Sequence, residues 1–84
     1  MRAQYEQCLR VTFCRWIRNT RAELGISQRE MSRRLYMSER SYENLEQGIS
    51  SCSAVTLVVF LKQVCKEPDR FLNEVWEMMQ ALNE

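Results

Sequence analysis

The stretch SQREMSRRLYMSERSYENLEQG, residues 27–48, holds two helix starts with a short turn between them. Ser27 is placed to accept from the free amides at a helix start, and Glu30, three residues on, can reach back, forming the S-x-x-E capping box. The helix that follows, from Gln28 to Leu35, buries Met31 and Leu35. Ser38 caps the next segment. Stepping about 100° per residue through 39–47 sends Tyr42 and Leu45 one way and gathers Arg40, Glu43, Asn44 and Gln47 on the opposite side. That outward face consists of hydrogen-bonding side chains long enough to reach a partner. Two short helices joined by about three residues, the second polar outward, have the layout of a helix-turn-helix.

The flanking sequence is helical too. From Tyr5 the side chains Leu9, Phe13, Trp16, Ile17, Thr20 and Leu24 share one face, and Gly25 stops the pattern, which predicts a long first helix over 4–24. Ser53 caps a fourth helix whose run AVTLVVFLKQV is apolar on most sides and is therefore expected at the centre of the fold. Pro68 suits a helix start, because its missing amide has no partner there. The fifth helix, within 68–83, carries Phe71, Leu72, Val75, Trp76, Met78, Met79 and Leu82 in one broad stripe. Only two glycines and one proline punctuate the chain, and no sustained apolar alternation marks a strand. The fold class is all-α with five helices.

The 84 residues make one small domain, 1–84, with a single core. No apolar run reaches the roughly 18 residues of a membrane span, and no compact apolar stretch with a small-residue cleavage site opens the chain, so a cytoplasmic protein is expected. The four cysteines, Cys8, Cys14, Cys52 and Cys65, form no C-x-x-C pair, and histidine is absent; free thiols are expected rather than a zinc site. The net charge of +1 conceals an asymmetry. Residues 1–40 hold nine arginines against four glutamates, +5, and residues 41–84 hold three basic against seven acidic groups, −4. Such a bipolar chain suits a nucleic-acid ligand on one side. With no histidine, no glycine-rich phosphate loop and no convergent carboxylate pair, neither an enzyme nor a cofactor or metal is expected.

These residues also resemble a family. The order I-R-x-x-R-x-x-x-G-I-S-Q at 17–28, E-M-S-x-x-L at 30–35, M-S at 37–38, S-Y-x-x-L-E-x-G at 41–48 and S-x-x-T-L at 53–57 is similar to the XRE family, the Cro and phage-repressor type of helix-turn-helix domain. The likeness covers about 13–72, with the helix-turn-helix at 28–47. It implies a five-helix, lambda-repressor-like fold whose third helix enters the major groove of double-stranded DNA. It implies that Gln28 contacts a phosphate at the amino end of helix 2, and that Arg21 and Glu46 form an internal salt bridge. The DNA-facing set it suggests runs from Gln28 and Arg29 through Ser38, Glu39, Arg40, Ser41, Glu43, Asn44 and Gln47 to Ser50 and Ser51. Within it, Arg40 suits guanine, Asn44 adenine and Glu43 cytosine, or Glu43 pairs with Arg40 as surface neighbours.

The chain departs from the family pattern in three places. Tyr36 stands where glycine is usual in the turn, so either it takes a left-handed conformation or the turn differs. Cys52 stands where proline is common, and the loop ISSCS lacks the family's basic residues, leaving Ser50, Ser51 and backbone amides to meet phosphate. Glu39 and Glu43 are acidic on the groove side. The expected function is a sequence-specific DNA-binding transcriptional regulator, most simply a repressor. The alternative is a protein-interaction module or antitoxin on the same fold, with a toxin or another regulator as partner. A two-fold homodimer is expected through Phe71, Leu72, Val75, Trp76, Met79 and Leu82, helped by the first turns of helix 1 with Tyr5, Cys8 and Leu9.

Overall fold

Apolar side chains recurring every three or four positions fold the amino-terminal segment into α1, Arg2–Leu24, about 34 Å long at 1.5 Å per residue. The computed structural model describes residues 2 to 83 and shows helices and no strand among them. After α1 come α2, Gln28–Arg34, and α3, Glu39–Glu46. Next, α4, Ala54–Val59, runs directly into a π-helical turn at Phe60–Val64, and α5 occupies Pro68–Ala81.

Helix boundaries follow two repeated local devices. The side chains of Ser27, Ser38 and Ser53 accept from the backbone N–H groups of Glu30, Ser41 and Thr56, each at 3.1 Å, and so cap α2, α3 and α4. Glu30 does not complete the expected box; its carboxylate lies 3.5 Å from Arg34, an i,i+4 neighbour. At the other ends, α1, α2 and α3 each close in the same reverse turn. Gly25 and Ile26 donate to the carbonyls of Ala22 and Arg21, Tyr36 and Met37 to those of Arg33 and Ser32, and Gly48 and Ile49 to those of Leu45 and Asn44. This is the paired hydrogen-bond pattern of the Schellman motif, which needs a left-handed residue just past the helix. Gly25 at φ 66° and Gly48 at φ 76° supply it without strain. Tyr36 supplies it at φ 57°, so of the two expectations the left-handed one holds, with a side chain that resists it. Its hydroxyl donates to Gln63 Oε1 at 3.2 Å, anchoring the turn to the π-turn.

The core forms around three phenylalanines from three elements. Phe13 of α1, Phe60 of the π-turn and Phe71 of α5 meet edge to face with ring centroids 5.2 to 6.1 Å apart, and Trp16 meets Phe71 in the same way at 5.5 Å. Ile17, Met31, Leu35, Tyr42 and Leu45 extend this centre beneath α2 and α3. The π-turn is closed by the Cys65 N–H donating to the Phe60 carbonyl at 2.8 Å, five residues back. Both Phe60 and Val64 stay buried across it.

α1 and α5 run antiparallel. Tyr5 donates to Asn83 at 3.0 Å, Thr12 to the Met78 sulfur at 3.1 Å and the Trp16 indole to Glu74 at 3.0 Å, while Arg15 also pairs with Glu74.

This seam corrects three expectations. Phe71 and Val75 are not available to a second copy: they are 0% and 6% exposed, because the inward half of the α5 stripe fills the chain's own core. Cys8 is buried and Tyr5 is engaged by Asn83, so the first turns of α1 cover α5 of the same chain. α4 is not enclosed on most sides: Val55 and Val58 are exposed, since so short a helix turns only one side, Thr56, Leu57, Val59 and the following Phe60, toward the centre. Leu72 and Trp76 remain 47% and 60% exposed on α5, with Leu82 beyond them.

Replacing Tyr36 with glycine relieves the left-handed strain, and stability should rise by about 1 kcal/mol, a melting temperature roughly 4–8 °C higher. Tyr36→Ala keeps the strain and loses the Gln63 bond, so it should not gain. Thermal melts in which glycine does no better than alanine would show that the turn is unstrained.

Candidate nucleic-acid interface

α3 has eight residues, too few to be stable alone, so its position must come from what it packs on. Tyr42, Leu45 and Glu46 are its buried face. Glu46 is the unusual member, a carboxylate in the seam between α1 and α3. Arg21 of α1 meets it with both arms of its guanidinium, Nε donating to Oε2 at 2.9 Å and Nη2 to Oε1 at 2.7 Å. The same guanidinium donates through Nη1 to the Ile26 carbonyl at 3.2 Å, and Gln28 Nε2 donates to Glu46 Oε1 at 3.3 Å. The Cys14 thiol donates to the Glu46 backbone carbonyl at 2.9 Å. One carboxylate thus ties together α1, the start of α2 and the end of α3. The salt bridge implied by the family resemblance is present in the structure.

The electrostatics follow from that geometry. Burial pushes the Glu46 carboxyl upward, but the Arg21 and Gln28 hydrogen bonds together with the Arg21 charge outweigh it and hold the group below the ordinary carboxylate range. Beside it, burial pushes the Tyr42 phenol up, and the Glu46 charge adds to the effect. The Tyr42 hydroxyl makes no hydrogen bond, although it feels both neighbours' charge.

The inner anchoring leaves the other side of α3 free. Glu39, Arg40, Ser41 and Gln47 are exposed, and Glu43 and Asn44 are half-buried. The alternative Arg40–Glu43 ion pair is not formed, and among the described residues Arg40 has no ion partner. Ser38 and Ser41 are partly spent on capping, their hydroxyls lying 2.9 Å apart. Ser41, Ser50 and Ser51 line one shallow hollow of about 220 Å³ between the start of α3 and the loop that follows it. Gln28 is half-buried; with one amide hydrogen committed to Glu46, a single hydrogen remains for an outside acceptor. Arg29 is exposed and unpaired among the described residues. Of the dimer set, Leu72, Trp76 and Leu82 stand outside, and Met79 is half-buried against the core.

Three features lie outside the sequence-derived set. Arg33 is exposed, unpaired among the described residues and one turn beyond Arg29, so the two share a face of α2; the i,i+4 spacing was the available signal. Arg18 of α1 is likewise exposed and unpaired. Cys14 binds the last turn of α3 from behind, and nothing in the spacing of a single cysteine reveals that. The four cysteines are free thiols, and among the described residues no group of three or more possible metal ligands converges. No described helix is long and apolar enough to cross a membrane.

Comparison with family models, curated proteins and solved structures gives no match.

Removing one partner of the buried pair leaves an uncompensated charge, so Glu46→Ala should cost roughly 3–5 kcal/mol in chemical unfolding. Acid should act through the same group. Because the folded-state value of Glu46 is depressed, its stabilisation is complete above the unfolded carboxylate value near 4.3 and drains away as pH falls through the lower folded value. Urea midpoints taken from pH 7 down to 3 should therefore fall less steeply in Glu46→Gln than in the parent. Identical slopes would assign the acid sensitivity to other carboxylates.

Proposed function

We propose that this chain is a non-enzymatic, sequence-specific regulator of transcription that binds double-stranded DNA as an XRE-type helix-turn-helix domain, laying α3 in the major groove. The observation that carries the reading is the division of α3 into two faces. Tyr42, Leu45 and the Arg21-bound Glu46 fix the helix from behind, and Arg40, Asn44 and Gln47 face away from that anchorage. Arg40 has no ion partner among the described residues and carries a fork that fits the two acceptors on the guanine edge, while Asn44 can pair with adenine. Arg18, Arg29 and Arg33, also without ion partners among the described residues, supply cations for phosphates, which position a protein on DNA without reading sequence. The hydroxyls of Ser41, Ser50 and Ser51 and the free Gln28 hydrogen are further phosphate donors.

The outer half of the α5 stripe supports a homodimer, with Leu72, Trp76 and Leu82 meeting their copies across a two-fold axis. Such a pair would set two α3 helices roughly 34 Å apart, one turn of B-DNA, on a near-palindromic site. One observation favours a second reading. Glu39 and Glu43 put two carboxylates beside Arg40 on the outward side of α3, a surface that also suits a basic protein partner such as a toxin.

Arg40→Ala should weaken binding to a selected duplex by about 1–3 kcal/mol and relax preference at one base pair. Equal losses on selected and random duplexes would move Arg40 to the phosphate contacts. Affinity should fall steeply with salt, because phosphate contacts release counterions; a flat salt response, or no binding to any duplex from a random pool, favours the protein partner. In sedimentation equilibrium near micromolar concentration the parent should be a dimer, and Leu72→Glu with Trp76→Glu should be a monomer. A parent already monomeric there removes the dimer.

A further inference from the structure

A second cavity lies away from α3. It is a cleft of about 370 Å³ between the second half of α1, the end of the π-turn and the first turn of α5, within the size range of small-molecule sites. The π-turn shapes one wall, since Val64 and Cys65 are its last residue and the donor that closes it. Single π-helical turns of this kind concentrate at binding sites.

The chemistry of the lining narrows the ligand. Trp16, Leu24, Val64 and Cys65 offer an apolar surface, and burial raises the Cys65 thiol, which keeps it uncharged at neutral pH. Three cations and three carboxylates stand around it, Arg15, Lys66 and Arg70 against Glu23, Glu67 and Glu74. Arg15 is held by Glu74, which also accepts from the Trp16 indole at 3.0 Å, and Arg70 donates to Glu67 at 3.1 Å. Lys66 and Glu23 are left with no ion partner among the described residues. A dianion would meet three carboxylates and a dication three cations, each repelled by half the rim. A wholly apolar molecule would strip water from charges and return nothing. The lining is complementary to a small molecule with one charge of each sign and an apolar body.

We propose that this cleft is a binding site for a zwitterion of the amino-acid type with an apolar side chain, its carboxylate at Lys66 and Arg70, its ammonium at Glu23 and its side chain against Trp16 and Leu24. Asn19 and Thr20 of α1 also line the cleft and add neutral hydrogen-bonding groups. The site is independent of the DNA reading, and its test uses no DNA.

In Trp76→Phe the only indole is Trp16, so its emission reports the cleft. Titration of this protein with L-leucine or L-methionine should give a saturating change with half-saturation below about 1 mM. N-acetyl-leucine amide, which has the same side chain and no charges, should give none. Lys66→Ala and Glu23→Ala, both at exposed positions, should each raise the half-saturation at least tenfold while circular dichroism stays that of the parent. Calorimetry on the parent chain should return the same affinity and guards against a silent fluorophore. No saturable signal in either measurement, an equal response to the uncharged amide, or indifference to both substitutions would overturn the proposal.

Discussion

The bidentate pair between Arg21 and Glu46 is the constraint on which the arrangement of α1, α2 and α3 depends. Apolar packing through Tyr42 and Leu45 is not directional and would tolerate some rotation of so short a helix. A guanidinium fork that must present two N–H groups to two oxygens does not tolerate it. Because Arg21 also holds the Ile26 carbonyl, the turn that leads into α2 is fixed by the same side chain. A buried pair of this sort adds little net stability over a well-packed apolar substitute. Its value here is orientation: it sets which way the outward residues of α3 point.

That orientation is reinforced from both ends of α3. Ser38 starts α3 and the left-handed Gly48 ends it, so its length is defined without help from its outer side chains. The Cys14 thiol takes one of the carbonyls left over in the last turn. The outer residues are therefore released from structural duty. Tyr42 completes the inner face: its ring fills the core and its hydroxyl is buried beside the ion pair.

Much of the fold was legible because its signals are local. The serine caps and the two glycines that end α1 and α3 act within a few residues, and the helical period shows wherever a face is apolar. The family resemblance pointed to the Arg21–Glu46 pair, which spans 25 positions and could not be derived from spacing. What stayed hidden depends on neighbours. Periodicity shows that α5 is broadly apolar but not that Phe71 meets Phe13 and Phe60 and that Val75 is buried, whereas Leu72 and Trp76 stay exposed. The run at 54–64 looks uniformly buried because hydropathy has no direction, while a helix of one and a half turns has room for only one inward face. The π-turn is invisible for a related reason: Phe60 to Val64 is ordinary helical sequence, and its widening reflects packing around it. At Tyr36 the sequence posed a choice, and the turn keeps its shape at the expense of the residue's comfort. On the candidate interface, the exposed polar positions of α3 were readable from the wheel. The partial withdrawal of Gln28 into the Glu46 network was not, since it needs the ends of α2 and α3 side by side.

The antiparallel seam between α1 and α5 bears on how the chain reaches this state. Tyr5 and Asn83 are 78 positions apart, and Thr12 and Met78 are 66 apart, so this seam closes the longest loop in the molecule. Contacts among α1, α2 and α3 span far shorter separations and need less chain entropy to be lost before they form. The three-helix unit around Glu46 is therefore the natural folding nucleus, with α5 docking onto it late. Until it docks, Phe13 and Phe60 lack the aromatic edge of Phe71, and the inner and outer apolar stripes of α5 are bare together. The final zipping of α1 to α5 is the step that turns one of those stripes into core and leaves the other as surface.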